Sequence, residues 1–212
     1  MRVQLLLLAK TPVPGRVKTR LCPPCTPAEA AGIAAAMLAD TVDVLTAAPA
    51  ARRTLVVDGD LPAPPGWHRH PQRGDGLGER LAAAYADTAL PGVATLLVGM
   101  DTPQLRVGHV VAACAALATT AAVLGPAEDG GWWALGLRDP STARVLAGVP
   151  MSTSDTGAAT RAALRGLGVG VATLPTLRDV DTAEDARAVA AGCEPGRFTT
   201  AVAASVPAGA PA

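Results

Sequence analysis

Val3-Gln4-Leu5-Leu6-Leu7-Leu8-Ala9 is an apolar run that breaks into Lys10-Thr11-Pro12-Val13-Pro14-Gly15-Arg16-Val17-Lys18-Thr19-Arg20. The first half reads as a buried strand. The second half is a loop leaving the carboxyl end of that strand, with cations at Lys10, Arg16, Lys18 and Arg20. Lys10 and Lys18 are the only lysines in the chain, so elsewhere the basic residue is arginine. A strand that ends in four cations, one glycine and two prolines is suited to an anion, foremost the phosphates of a nucleotide. Lys10, Gly15, Arg16, Lys18 and Arg20 are therefore candidate nucleotide-binding residues. The competing reading is a solvated basic loop, which is what most short charge clusters are.

Working outward, apolar runs alternate with helical patterns. Thr26-Pro27-Ala28-Glu29 has the form of a capping box with proline at the first helical position, opening a helix to about Ala47. Strands are expected at Thr54–Val57, Thr95–Gly99, Ala121–Leu124, Trp132–Leu137 and Val169–Leu174. Helices are expected at Leu77–Leu90, from about Val107, at Thr156–Leu167, and from Thr182, where Asp185 stands three residues on. Strands separated by helices of this length mean βαβ units and a mostly parallel sheet flanked by helices, an α/β single domain over residues 1–198. From Thr199 the sequence turns to Ala, Val, Ser, Pro and Gly, so 199–212 is expected to be a disordered tail.

Half of the residues are hydrophobic but aromatics make up only 2%, so the core must be built from Leu, Val and Ala. The formal net charge of zero argues against nucleic acid or an anionic membrane as a bulk partner. The apolar stretches read as too short to span a bilayer, and Met1-Arg2 has no leader-like cleavage site after it, so the expected compartment is the cytoplasm. Cys22-Pro23-Pro24-Cys25 has CxxC spacing, but no second pair or histidine set accompanies it, and incidental thiols are the simpler reading.

In sheets of this kind ligands bind where loops converge at the carboxyl ends of the strands. Three loops fall there: Lys10–Arg20, Met100–Pro103 and Arg178–Asp181. Asp101 follows an apolar strand and suits a hard divalent cation, or else a turn or helix cap. Asp179-Val180-Asp181 in extended conformation puts two carboxylates on one face, and a divalent ion relieves their repulsion. Glu128-Asp129-Gly130-Gly131 brings two acids and two glycines before a strand, where Asp129 could meet a sugar or acceptor hydroxyl. Trp132 and Trp133 then point to opposite faces, one towards the core and one towards a pocket. Gly74-Asp75-Gly76-Leu77-Gly78-Glu79-Arg80 is a glycine-rich helix entry able to wrap a base or ribose. The P-loop and the dinucleotide fingerprint are both absent. No G-x-S-x-G elbow exists, and His68, His70 and His109 lack metal-like spacing.

These segments together resemble a bacterial family of glycosyltransferase-like proteins, labelled arsenosugar-biosynthesis-type glycosyltransferases, whose nucleotide-diphospho-sugar transferase fold is called GT-A. The resemblance runs through Ala9–Leu21, Gly76–Arg80, Gly99–Pro103, Gly125–Gly131 and Asp179–Thr182. It extends more distantly to phospholactate and phosphoenolpyruvate guanylyltransferases. It implies a transferase that uses Mg²⁺ or Mn²⁺. Lys18 and Arg20 would bind phosphate, Asp101, Asp179 and Asp181 would hold the metal, Gly76 and Arg80 would border the nucleotide, and Asp129 would face the donor sugar or acceptor. Lys18, Arg20 and Asp129 are thus the candidate catalytic residues. Met100 and Trp132-Trp133 depart from the family pattern, on the acceptor side. The expected partners are a nucleotide or nucleotide-sugar donor and a small-molecule acceptor, and a homodimer is allowed for. Glycosyl transfer is the favoured reading. Nucleotidyl transfer with release of pyrophosphate, and a nucleotide-binding subunit without turnover, are the alternatives.

Overall fold

The computed structural model describes residues 1–207. A seven-stranded sheet with strand order β3-β2-β1-β4-β6-β5-β7 runs through the molecule. The strands are β1 (Val3–Lys10), β2 (Arg52–Asp58), β3 (His68–Pro71), β4 (Ala94–Gly99), β5 (Ala122–Pro126), β6 (Trp132–Leu137) and β7 (Val171–Thr173). Helices α1 (Pro27–Ala47), α2 (Leu77–Thr88), α3 (Val107–Thr119), α4 (Thr156–Gly166), α5 (Ala183–Gly192) and α6 (Arg197–Ser205) cover it. The sheet is parallel except at β6, which lies antiparallel between β4 and β5. A mostly parallel α/β sheet is therefore found as expected, with one reversed strand.

Both faces of the sheet are buried, which is why β1 reads as continuous leucine rather than an alternation. Leu5 and Leu7 face α1, α3, α5 and α6, packing with Ile33, Met37, Val110 and Phe198. Leu6 faces the other way, with Val56, Leu97, Leu81, Tyr85 and Leu164 beneath α2 and α4. The single Tyr85 is fully buried there, and its hydroxyl donates to the carbonyl of Leu135 (2.5 Å).

The capping residues behave as their chemistry dictates. Glu29 N–H donates to Thr26 Oγ1 (3.3 Å), and Thr26 N–H donates back to the Glu29 carboxylate (2.7 Å). Thr182 and Asp185 repeat the arrangement at α5. Helix α1 is long and apolar enough to cross a membrane by length and composition, which the short-run reading of the sequence missed. Half of that window is buried inside the fold, and Glu29, Asp40 and Asp43 lie along the helix, so its apolar side belongs to the core.

The expected disorder from Thr199 is overturned by α6. Phe198 and Val202 are buried against α1, and Arg197 Nη1 pairs with Asp40 (3.0 Å) and Asp43 (2.6 Å) across the helix interface. The reason is tertiary: a helix of low intrinsic preference forms because it has a face to bury. Residues 208–212 of that expected tail lie outside the described residues.

Candidate active site

The carboxyl ends of β1, β2 and β4 open into one cleft of about 880 Å³. The loop after β1 is anchored, not solvated: Val17 and Leu21 are buried in the core, and Thr19–Leu21 closes a 3-10 turn. Lys18, between these anchors, takes the left-handed backbone region (φ 47°, ψ 38°). Its side chain is only 8% exposed, and Nζ lies 2.7 Å from Asp101 Oδ1 and 3.0 Å from Asp181 Oδ1. Burial pulls the lysine pKa down, but the two carboxylates outweigh it, so the ammonium is held above its ordinary value. Arg20 Nη1 reaches the other oxygen of Asp181 at 3.1 Å.

The two acidic loops are tied by their backbones. Val180 N–H donates to the carbonyl of Asp101 (2.9 Å). Val180 is wholly buried, while Asp179 and Asp181 on either side of it line the cleft. Asp179 is not among the ion pairs of the described residues. Burial, then the nearby charge of Asp129, Asp181 and Asp101, pushes its pKa up to about 6. Asp129 belongs to a tight turn in which its Oδ1 accepts from Gly131 N–H (2.7 Å). Gly130 has φ 88°, and a Cβ there would stand 1.9 Å from the carbonyl oxygen of Ser154, so this turn is locked onto the loop before α4.

From α2, Arg80 donates to Asp58 Oδ2 (2.8 Å) and to the carbonyl of Gly74 (3.1 Å). Gly74 holds φ 121°, and a Cβ would press on Glu79 at 2.7 Å. Lys10 and Arg16 line the cleft without an ion pair among the described residues. The structure thus brings Lys10, Arg16, Lys18, Arg20, Arg80, Asp101, Asp129, Asp179 and Asp181 to one cavity. Gly15 and Gly76 are not among its lining residues: Gly15 sits in a turn at φ 75° and Gly76 caps α2. The tryptophans divide as their alternation implies. Trp133 is buried and donates to the carbonyl of Pro175, while Trp132 lines the cleft.

Sequence reasoning passed over Asp58, Gln72 and the Met151–Ser154 segment. Asp58 ends β2, so the carboxyl-end rule applied to that strand would have found it. Gln72 Nε2 donates to the carbonyls of Ala9 (2.8 Å) and Val56 (3.2 Å), pinning the ends of β1 and β2, and nothing local signals that. The thiols of Cys22 and Cys25 are free. His70 contacts Asp87 (3.2 Å), and His109 accepts from Arg106 N–H (3.1 Å) at the start of α3.

Whether Mg²⁺ or Mn²⁺ suits these residues is decided by the donors. Among the described residues, no three of His, Cys, Asp or Glu converge as a closed ligand set. Magnesium sites, however, take one or two carboxylates and complete themselves with substrate phosphates. The hard oxygens of Asp101 and Asp179 are donors of that kind, and Asp179, whose ionisation is opposed first by burial and then by three nearby acids, has no cation paired with it among the described residues.

Comparison with protein families matches residues 32–153 to a model described as "Uncharacterized protein conserved in bacteria (DUF2064)". The chain belongs to the DUF2064 family. The matched segment of this DUF2064 protein contains Arg80, Asp101 and Asp129, and the Lys10–Arg20 loop and Asp179–Asp181 lie outside it. A candidate nucleotide-diphospho-sugar transferase from Desulfovibrio desulfuricans G20 superposes with a TM-score of 0.84 at 27% identity, over 96% of this chain and 94% of its own. Rv0371C from Mycobacterium tuberculosis H37Rv, solved as a manganese complex, follows at 0.58 and 19% identity, covering 89% and 98%. The 2-C-methyl-D-erythritol 4-phosphate cytidylyltransferase of Thermus thermophilus follows at 0.54 and 15%, covering 96% and 98%. The last two show the fold alone. No curated protein matches the sequence. The fold of this DUF2064 protein is the nucleotide-diphospho-sugar transferase fold that the motifs implied.

Proposed function

We propose that this DUF2064 protein is a divalent-metal-dependent glycosyltransferase that moves a sugar from a nucleotide diphosphate to a hydroxyl of a small-molecule acceptor. Its class, transferase, is the one that several of its neighbours carry in their names, among them a sugar transferase and a cytidylyltransferase. The observation that carries the finer reading is the cleft itself, where a cationic lip faces four carboxylates: Asp101, Asp129, Asp179 and Asp181.

Each group then has a task that its geometry allows. Lys10, Arg16 and Arg20 bind the diphosphate and oppose the charge that grows on it as the donor bond breaks. Lys18 holds Asp101 and Asp181 in place, and Asp101 with Asp179 would hold the metal. The metal, when bound, supplies Lewis-acid neutralisation of the phosphates. The acceptor oxygen forms a bond to the anomeric carbon, the bond from that carbon to the phosphate oxygen breaks, and the nucleoside diphosphate leaves. The acceptor proton passes to Asp129, whose second oxygen is not committed to the Gly131 turn. No protein nucleophile is required.

One observation favours a second reading. The loop after β1 alone brings four cations to the cleft, Lys10, Arg16, Lys18 and Arg20, and a loop so charged suits nucleotidyl transfer from a triphosphate. Mass analysis of products separates the readings. Metal-dependent release of nucleoside diphosphate with a glycosylated acceptor supports the proposal. Release of pyrophosphate from an NTP supports the second reading and overturns the first.

A further inference from the structure

Resting on that reading, we infer that the wall formed by Trp132 and Ser152–Ser154 is the acceptor subsite, and that it takes a neutral, hydroxyl-rich molecule such as a sugar or cyclitol rather than a phosphorylated one. Positive charge is confined to part of the cleft's lining. All of its lining cations, Lys10, Arg16, Lys18, Arg20 and Arg80, come from the β1 loop and α2. The stretches of lining from Asp129 to Trp132 and from Met151 to Thr156 carry Asp129 and no cation. An acceptor phosphate there would meet a like charge with nothing to offset it. Two of the amide groups that open α4 are already engaged, since Thr156 N–H donates to Thr153 and Gly157 N–H donates to Gly130 (2.8 Å).

What the wall does offer suits a polyol. Trp132 is only partly buried, and its Nε1 donates to Thr160 Oγ1 (3.2 Å), which fixes the ring plane against the cleft. A fixed aromatic face is an apolar platform for the C–H side of a sugar ring, with hydroxyl groups at its rim for orientation. Ser152 and Ser154 supply that rim: both are exposed, and their hydroxyls have no protein partner among the described residues. The rim is rigid, since the Gly130–Ser154 approach leaves no room for a Cβ and Ser152 is held at φ 58°. The free oxygen of Asp129 stands on the same wall, where it can take the proton of a bound hydroxyl.

The test is a binding panel on the full chain with Mn²⁺ and whichever of UDP, GDP, CDP or ADP raises its melting temperature, so that the cationic lip is already filled. Methyl β-glucoside and myo-inositol are titrated against glucose 6-phosphate and inositol 1-phosphate by calorimetry. The neutral members are expected to bind saturably and at least about ten-fold more tightly than their phosphorylated twins, a gap of about 1.4 kcal/mol. Trp132→Leu should abolish neutral binding while leaving the nucleotide-induced shift intact, and Ser154→Arg should reverse the preference. Tighter binding of the phosphorylated twins, or no saturable binding of any neutral member, overturns the inference. So does loss of neutral binding when an intact nucleotide sugar replaces the diphosphate, because the wall would then hold the donor sugar. If no nucleotide shifts the melting temperature at all, it is the underlying functional reading that fails.

Discussion

Replacing Asp179 by asparagine removes a carboxyl group whose ionisation the fold opposes. In the unfolded chain this group titrates near its ordinary 3.8, and in the native cleft burial and the neighbouring acids raise it to about 6. The native state therefore holds the proton more tightly than the unfolded state, and stability falls as pH rises between these values. Above pH 6 the full penalty is present. At 1.36 kcal/mol per pH unit the displacement corresponds to about 3 kcal/mol, and solvent at this partly buried site reduces it to about 1–2 kcal/mol. Asp179→Asn should thus be more stable than the wild type by that amount at pH 7.5, and equal to it near pH 4. For a chain of this size the gain is about 2–8 °C in melting temperature. Urea unfolding at pH 4, 6 and 7.5 without divalent ions measures it. Adding Mn²⁺ together with a nucleoside diphosphate at pH 7.5 should stabilise the wild type more than the variant, because the ion offsets the charge that Asp179 carries there. A variant less stable than the wild type at pH 7.5, or a difference that does not change with pH, would refute the reasoning.

Lys18→Met should lower stability by about 1–2 kcal/mol, since it strips Asp101 and Asp181 of their shared cation while both remain partly solvated. The same variant should bind Mn²⁺ alone several-fold more tightly in calorimetry, and unchanged or weaker binding would show that the ammonium does not compete with a metal. Gly130→Ala should destabilise by at least about 2 kcal/mol in urea melts, because the new methyl group would stand 1.9 Å from the Ser154 oxygen at a φ of 88°. Phe198→Ala should cost about 3–5 kcal/mol by the same measurement, a loss expected only if α6 is part of the core.

The elements that were legible in the sequence are those whose signal is local. β1 announces itself by an unbroken apolar run, α1 by Thr26-Pro27-Ala28-Glu29, and α5 by Thr182 with Asp185. The direction of β6 is not written in Trp132–Leu137, because an isolated strand carries no mark of which neighbour it will pair with. β3 escaped because His68-Arg69-His70-Pro71 is polar, as an edge strand can afford to be, with only β2 beside it. α6 escaped because its stability lies in distant partners, Asp40 and Asp43 for Arg197 and the α1 surface for Phe198. The same distinction governs the cleft. Strand-end acids could be located by the carboxyl-end rule, but the pairing of Lys18 with Asp101 and Asp181 joins residues more than 80 positions apart, and residue types alone do not reveal it.

That pairing changes how the loop after β1 works. Lys18 is the cation most deeply placed, yet it is engaged by two carboxylates and cannot also grip a phosphate while it holds them. The groups best placed to meet a polyphosphate are Lys10 and Arg16, together with Arg20, which touches Asp181 through one nitrogen but has a side chain that is 72% exposed. Five cations and six carboxylates line the cleft, so before any ligand enters it is close to neutral, with the acids slightly in excess. An anionic nucleotide gains little from such a surface, and a divalent ion meets an ammonium already in position. On the proposed reading each ligand would supply the charge the other lacks: Asp101 and Asp179 would hold the ion, its charge would offset the excess of acids for the phosphates, and Lys18 could turn towards the phosphates. Binding should therefore be synergistic. The melting temperature should move little with nucleotide alone or with Mn²⁺ alone, and by more than the sum of the two when both are present, because two linked ligands strengthen each other by the same free energy. Additive shifts would place the metal and the phosphates too far apart to share charge.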